Sequence, residues 1–300
     1  MVAGCSRRSQ LPSVVIMTTS SPAPVQDPTV APPVAFVRRR PVTAFLLGAY
    51  GVGWPLLTIA TVTGRQHGPL GYAFTFGALL GSALVVSRLA DGPGGARRLL
   101  ARFLIWRIGA ARWALVVAAL PALTIGIAAA SGTLQTPSGG WPAAGGAYLF
   151  QLVVVGALGA NLAEEGAWSG VVQTRLTARH GLFRGAMLTA PLFAAMHLPL
   201  QFGAGWTWSS VVVGVTALMV IAPFFRYVLG ETLVATGGSL LAAGVLHASL
   251  NASGSLDLPG GWQSLPAVML LAVLLAIARR VRARRSLRVA AATVVTGTAS

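Results

Sequence analysis

Lysine is absent from this chain, and all 22 of its basic residues are arginine. Acidic residues are scarce: Asp27, Asp91, Glu164, Glu165, Glu231 and Asp257 are the whole inventory. Charged residues make up 9% of the sequence, against roughly 25% in soluble globular proteins. That shortage excludes an ordinary soluble domain. The single cysteine, Cys5, excludes a disulfide framework and a cysteine-built metal site within one chain. The first 37 residues lack the continuous apolar core of a secretory signal. They are rich in Ser, Thr, Pro and Val and read as a disordered tail over 1–37, with Met17 an alternative start.

What the sequence has in abundance is apolar length. Hydrophobic residues make up 55% of it and the mean hydropathy is +0.72. A helix needs about 20 apolar residues to cross the hydrocarbon core of a bilayer. Eight such spans are expected, at roughly 42–63, 69–87, 113–131, 146–178, 183–200, 209–227, 231–251 and 262–278. The fold class is all-α, a polytopic transmembrane bundle of about eight helices.

The arginines fall into groups between these spans: Arg38 to Arg40, Arg88 to Arg112, Arg175 to Arg184, Arg226, and Arg279 to Arg288. The alternate loops carry only Arg65. Eight spans with both termini cytoplasmic place every arginine group on the cytoplasmic side. Such spacing marks topology and contact with anionic lipids, and gives no support to a nucleic-acid partner. The all-Arg, Ala- and Gly-rich usage suits a bacterial inner-membrane protein. Between the second and third spans, Leu99, Leu100, Phe103, Leu104 and Trp106 interleave with Arg98, Arg102 and Arg107. An interfacial amphipathic helix is expected there, over about 96–112, within an N-terminal region of 38–140.

Four of the six acids have simple explanations. Asp27 lies in the tail, Asp91 and Asp257 in turns, and Glu231 at the expected start of the seventh span, where a carboxylate suits the helix dipole. Glu164 and Glu165 do not. They interrupt a long apolar stretch, where each ionised carboxylate costs about 2.5–3.5 kcal/mol. His67 and His180 fall in loops, but His197 and His247 lie within apolar spans. Phe193 precedes His197 by four residues and Asn251 follows His247 by four, so each pair shares one helix face. Measured from Ala178, Phe183 and Glu231, taken as the cytoplasmic ends of their spans, Glu164, His197 and His247 lie roughly 21, 21 and 24 Å in. Three helices are therefore expected to bring these groups to one plane.

Glu164-Glu165, then Phe193-x-x-x-His197, then His247-x-x-x-Asn251 resemble, in order and spacing, the motifs of the CAAX-protease/bacteriocin-processing (CPBP, or Abi) family of intramembrane proteases. The resemblance covers about 145–255, followed at 256–300 by a last span and a basic tail. The Arg97–Trp113 stretch also resembles the linker that precedes this domain. The resemblance implies an intramembrane endopeptidase, usually labelled a metalloprotease, acting on a peptide or membrane-protein substrate. On that basis Glu164 is the expected general base on water, with His197 sharing the water's orientation. His247 and Asn251 would contact the oxyanion or the water, and Glu165 would orient a histidine. A zinc set of Glu164, His197 and His247 is one option, and metal-free activation of water by Glu and His is the other.

One motif position departs. The family's Glu-Glu-x-x-x-Arg puts arginine at 169, where this chain has Ser169. That arginine is implied to position the acidic pair or a substrate carboxylate. Arg175 lies about 16 Å along the helix from Glu164 and is no replacement. Three outcomes stay open: another arginine reaches the site, substrate recognition differs, or activity is lost. The last favours a non-catalytic protein for self-immunity or scaffolding. A proton-coupled transporter is a further alternative, although the two halves show no internal repeat.

Overall fold

The computed structural model describes residues 31–297, with side chains through Ser286. No strand occurs among the described residues. The helices are α1 (Pro32–Arg39), α2 (Pro41–Val62), α3 (Pro69–Ala90), α4 (Gly95–Ala101), α5 (Ala110–Ala130), α6 (140–180), α7 (182–202), α8 (Trp208–Ala235), α9 (Leu240–Leu256) and α10 (Ser264–Ser286). Gly181, at φ 76° and ψ 167°, turns the chain between α6 and α7. A side chain would be strained in that left-handed conformation. Setting aside the short α1 and α4, eight apolar helices make this a multi-pass membrane bundle. Among the described residues six stretches are long and apolar enough to span, Gly140–Phe202 (α6 with α7) being one of them, and α9 is shorter.

Helix α7 packs along α8, and α6 along α9, while α5 and α10 flank this four-helix core. Helices α2 and α3 close the other side. Close approach of α6 and α9 rests on Gly156 and Gly244. A Cβ on Gly156 would come within 2.7 Å of Ala248, and one on Gly244 within 2.9 Å of the Leu162 backbone. Small residues at such crossings let helices meet where no hydrophobic effect drives them together.

The two ends of the bundle are sorted by charge. At one end Arg175 pairs with Asp91 at 2.7 Å, Arg279 with Glu231 at 3.3 Å, and Arg38 donates to the Leu89 carbonyl. At the other, Ser138 binds Asp257 and Gln263 reaches Thr133.

Several expectations need correction. Of the tail expected over 1–37, residues 1–30 lie outside the described residues, whereas Pro32–Arg39 is helical, with proline at its first turn where no amide partner is needed. The element expected over 96–112 is helical only to Leu104, because Gly109 at φ 88° starts α5 afresh. Arg102 there turns inward, donating to the Gly238 carbonyl at 2.8 Å. Burial and the neighbouring Arg175 charge lower its pKa.

The boundary between the sixth and seventh spans is the largest correction. Helix α8 runs unbroken from Trp208 to Ala235, so Arg226 is not a loop residue and Glu231 does not open a span. The break falls at Gly237 and Gly238 (φ 65° and 88°), and Ser239 caps α9 by accepting from the Ala242 amide. His247 therefore lies only about 11 Å into its helix, seven residues beyond Leu240.

Candidate active site

The site is assembled by α6, α7, α8 and α9. Along α6, Glu165, Ser169 and Gln173 recur every four residues and form one polar stripe. The stripe runs through a π-helical stretch, Trp168–Gln173, of the kind that often marks functional sites. Glu165, Ser169 and Gln173 are all completely buried.

Arg226 of α8, also completely buried, meets this stripe. Its Nη1 donates to both Glu165 oxygens, at 3.0 and 3.1 Å. Nη2 donates to Ser169 Oγ at 2.9 Å, and Nε to Gln173 Oε1 at 2.8 Å. Ser169 in turn donates to Glu165 Oε2. Gln173 Nε2 closes the ring by donating to the Arg226 carbonyl at 2.6 Å. A buried ion pair survives desolvation only when geometry is good and the remaining donors are satisfied. Here all three guanidinium nitrogens donate, and the guanidinium also stacks over Phe193, 5.1 Å from its centroid.

A guanidinium therefore does reach the acidic pair, from a helix other than the one expected to carry it. Ser169 is short enough to leave room for it and supplies a hydroxyl that bridges Arg226 to Glu165. Of the three outcomes the departure at 169 left open, the geometry realises the first.

The expected residues divide into two groups. His247 Nδ1 lies 2.9 Å from Glu165 Oε1 and 3.7 Å from Glu164 Oε2. Glu165 is a carboxylate held by Arg226, so Nδ1 carries the proton and donates it. His197 Nδ1 lies 2.8 Å from the Phe193 carbonyl, which can only accept, so Nδ1 is protonated here as well. An imidazole whose one proton sits on Nδ1 holds a lone pair on Nε2. Neither Nε2 has a hydrogen-bond partner among the described residues.

Glu164 differs from its neighbour: its side chain is 13% exposed, against 0% for Glu165. Its one hydrogen bond among the described residues is a long one, 3.4 Å from Asn161 Nδ2. Asn251 does not touch the pair. It donates to Asn161 Oδ1 at 3.2 Å and so reaches Glu164 through one intermediary. Phe193 lies between the imidazoles, its centroid 4.6 Å from that of His197 and 5.8 Å from that of His247. Trp168 backs it edge-on at 5.7 Å.

Asn161, Gln173 and Arg226 were missed as site residues. The i, i+4, i+8 recurrence of Glu165, Ser169 and Gln173 could have found Gln173. A lone arginine inside Val211–Leu233, an otherwise nearly uncharged stretch, could have identified Arg226 as an intramembrane charge needing a partner. As for zinc, no three His, Cys, Asp or Glu side chains among the described residues are grouped as ligands for one ion. The set of Glu164, His197 and His247 does not close, and Glu165 is committed to Arg226, Ser169 and His247.

No curated protein matches the chain. Residues 146–253, which hold every side chain of this cluster, match the family model described as type II CAAX prenyl endopeptidase Rce1-like. Within the membrane bundle it is this stretch, 146–253, that is similar to the Rce1-like family described as type II CAAX prenyl endopeptidase.

Proposed function

We propose that this protein is an intramembrane endopeptidase that hydrolyses a peptide or membrane-protein substrate with water activated by Glu164. The observation that carries it is the division of labour within the acidic pair. Glu165 is neutralised by Arg226 and fixes His247, while Glu164, partly exposed, is left 3.7 Å from His247 Nδ1, with His197 on the other side of Phe193.

Glu164 takes a proton from the water as that water attacks the scissile carbonyl. His197 Nε2 accepts the water's other hydrogen and fixes its direction. His247 acts in its protonated form, with the Glu164 charge 3.7 Å away and the Glu165 carboxylate on Nδ1. Its Nε2–H donates to the developing oxyanion and then to the leaving nitrogen. Proton transfer from Glu164 to His247 restores both groups. Asn251 steadies Asn161, and through it Glu164. No step is routed through zinc. Arg226 supplies the cation that Ser169 lacks, which supports the catalytic reading over a non-catalytic protein. The arginine-rich end is proposed to face the cytoplasm of a bacterium, placing both termini there.

The test is cleavage of fluorogenic peptides by the protein in proteoliposomes. Glu164→Gln should lower the rate by about 10²–10⁴-fold, the usual contribution of a general base. Its thermal unfolding should stay close to that of wild type. No cleavage by wild type across a broad peptide set, or equal rates for the two proteins, would remove the protease function.

A further inference from the structure

At the arginine-rich end, Arg39 and Arg40 from the α1–α2 junction and Arg175 and Arg179 from α6 line one pocket of ≈ 340 Å³. Its floor is Pro41, Val42, Thr43 and Leu176. Pro41 begins the 22-residue α2, whose N-terminus carries no side-chain cap. Its first amides and its dipole therefore add positive potential to that of the arginines.

Four guanidinium groups in one concavity repel one another, and the described residues neutralise only one of them. Asp91 pairs with Arg175. The remaining described acids are engaged elsewhere: Glu164 and Glu165 in the active site, Glu231 with Arg279, and Asp257 with Ser138. Arg39, Arg40 and Arg179 thus have no acidic partner among the described residues. Arginine, rather than a point-charge ammonium, suits the two-oxygen fork of a phosphate.

We propose that this pocket binds a phosphate group, presented either by the headgroup of an anionic phospholipid or by a soluble phosphate. It lies where the headgroups of a surrounding leaflet would be, and it bridges α2 to the helix that carries Glu164. Occupancy would therefore tie α2 to α6 by neutralising their shared charge.

The experiment uses the whole protein in a neutral detergent. Native mass spectrometry compares retention of added phosphatidylglycerol and phosphatidylcholine, and thermal unfolding is followed with inorganic phosphate alone. Wild type should retain phosphatidylglycerol at least about tenfold better than phosphatidylcholine, since each arginine near an anionic headgroup contributes roughly fivefold. Arg39→Gln/Arg40→Gln/Arg179→Gln should lose that preference. Arg282→Gln/Arg284→Gln/Arg285→Gln removes the same charge from the exposed face of α10 and should keep it. Stabilisation of wild type, but not of the pocket variant, by inorganic phosphate in the absence of lipid would assign the site to a soluble phosphate. Should the triple pocket variant fail to fold, Arg179→Gln alone should bind about fivefold more weakly. Unchanged binding by the pocket variants, or an equal loss in the α10 control, overturns the proposal.

Discussion

Replacing Arg226 with methionine keeps much of the side-chain volume and removes the charge. Glu165 is then completely buried with only His247 and Ser169 for company. Breaking a buried ion pair from one side costs about 3–5 kcal/mol, because the surviving charge has lost its compensation. At about 2–4 °C per kcal/mol for a chain of a few hundred residues, unfolding should fall by roughly 6–20 °C. Adding Glu165→Gln removes the stranded charge, so the double variant should unfold at a higher temperature than Arg226→Met alone. It should still fail to cleave peptide, since His247 has then lost its carboxylate. The swap Ser169→Arg/Arg226→Ser returns one guanidinium to the same space and should be more stable than Ser169→Arg alone, which crowds two together. Tryptophan fluorescence on heating, in detergent, reads all four variants. A shift below about 2 °C for Arg226→Met, or a double variant less stable than the single, would refute the account of Arg226 as the counter-charge.

Gly244→Val sets a side chain against the Leu162 backbone and pushes α9 off α6; overpacking should cost at least about 1–3 kcal/mol and draw His247 away from Glu165, so unfolding temperature and cleavage rate should fall together. Chelation with EDTA should leave cleavage unchanged, and a loss that zinc restores would oppose the metal-free route. At the opposite end, hydrogen bonds from the Ser138 amide and hydroxyl lower the Asp257 pKa below its ordinary 3.8. A lowered carboxylate pKa means that this contact stabilises the fold above pH 3.8 and is lost as pH falls through the lower, folded value. Asp257→Asn should therefore flatten the dependence of unfolding temperature on pH below about 4, measured from pH 5 to 3.

The helical class and the number of apolar helices were legible because bilayer thickness fixes the length of a span and arginine marks its ends. The acidic pair and the two histidines stood out because such groups are costly in an apolar run. The limits of span six were not legible by that rule. Arg226 was read as a loop charge and Glu231 as the start of span seven, although both are satisfied inside α8, by Glu165 and by Arg279. The local signal for the true boundary was present: Gly237-Gly238-Ser239 combines a left-handed stop with a helix cap. The site's interior connections were beyond one-dimensional reading, since Arg226 and Ser169 are 57 positions apart and only packing makes them neighbours.

That separation bears on how such proteins are recognised and how they diverge. A linear pattern requiring arginine four positions after Glu165 would discard this chain, although the cationic group it seeks arrives from α8. Positions 169 and 226 should accordingly vary as a pair among relatives, with one bulky cation shared between them. Arginine at 169 should accompany a small or apolar residue at 226, and the reverse should hold where 169 is small. Relatives lacking a cation at both positions should be the ones in which the acidic pair has also decayed.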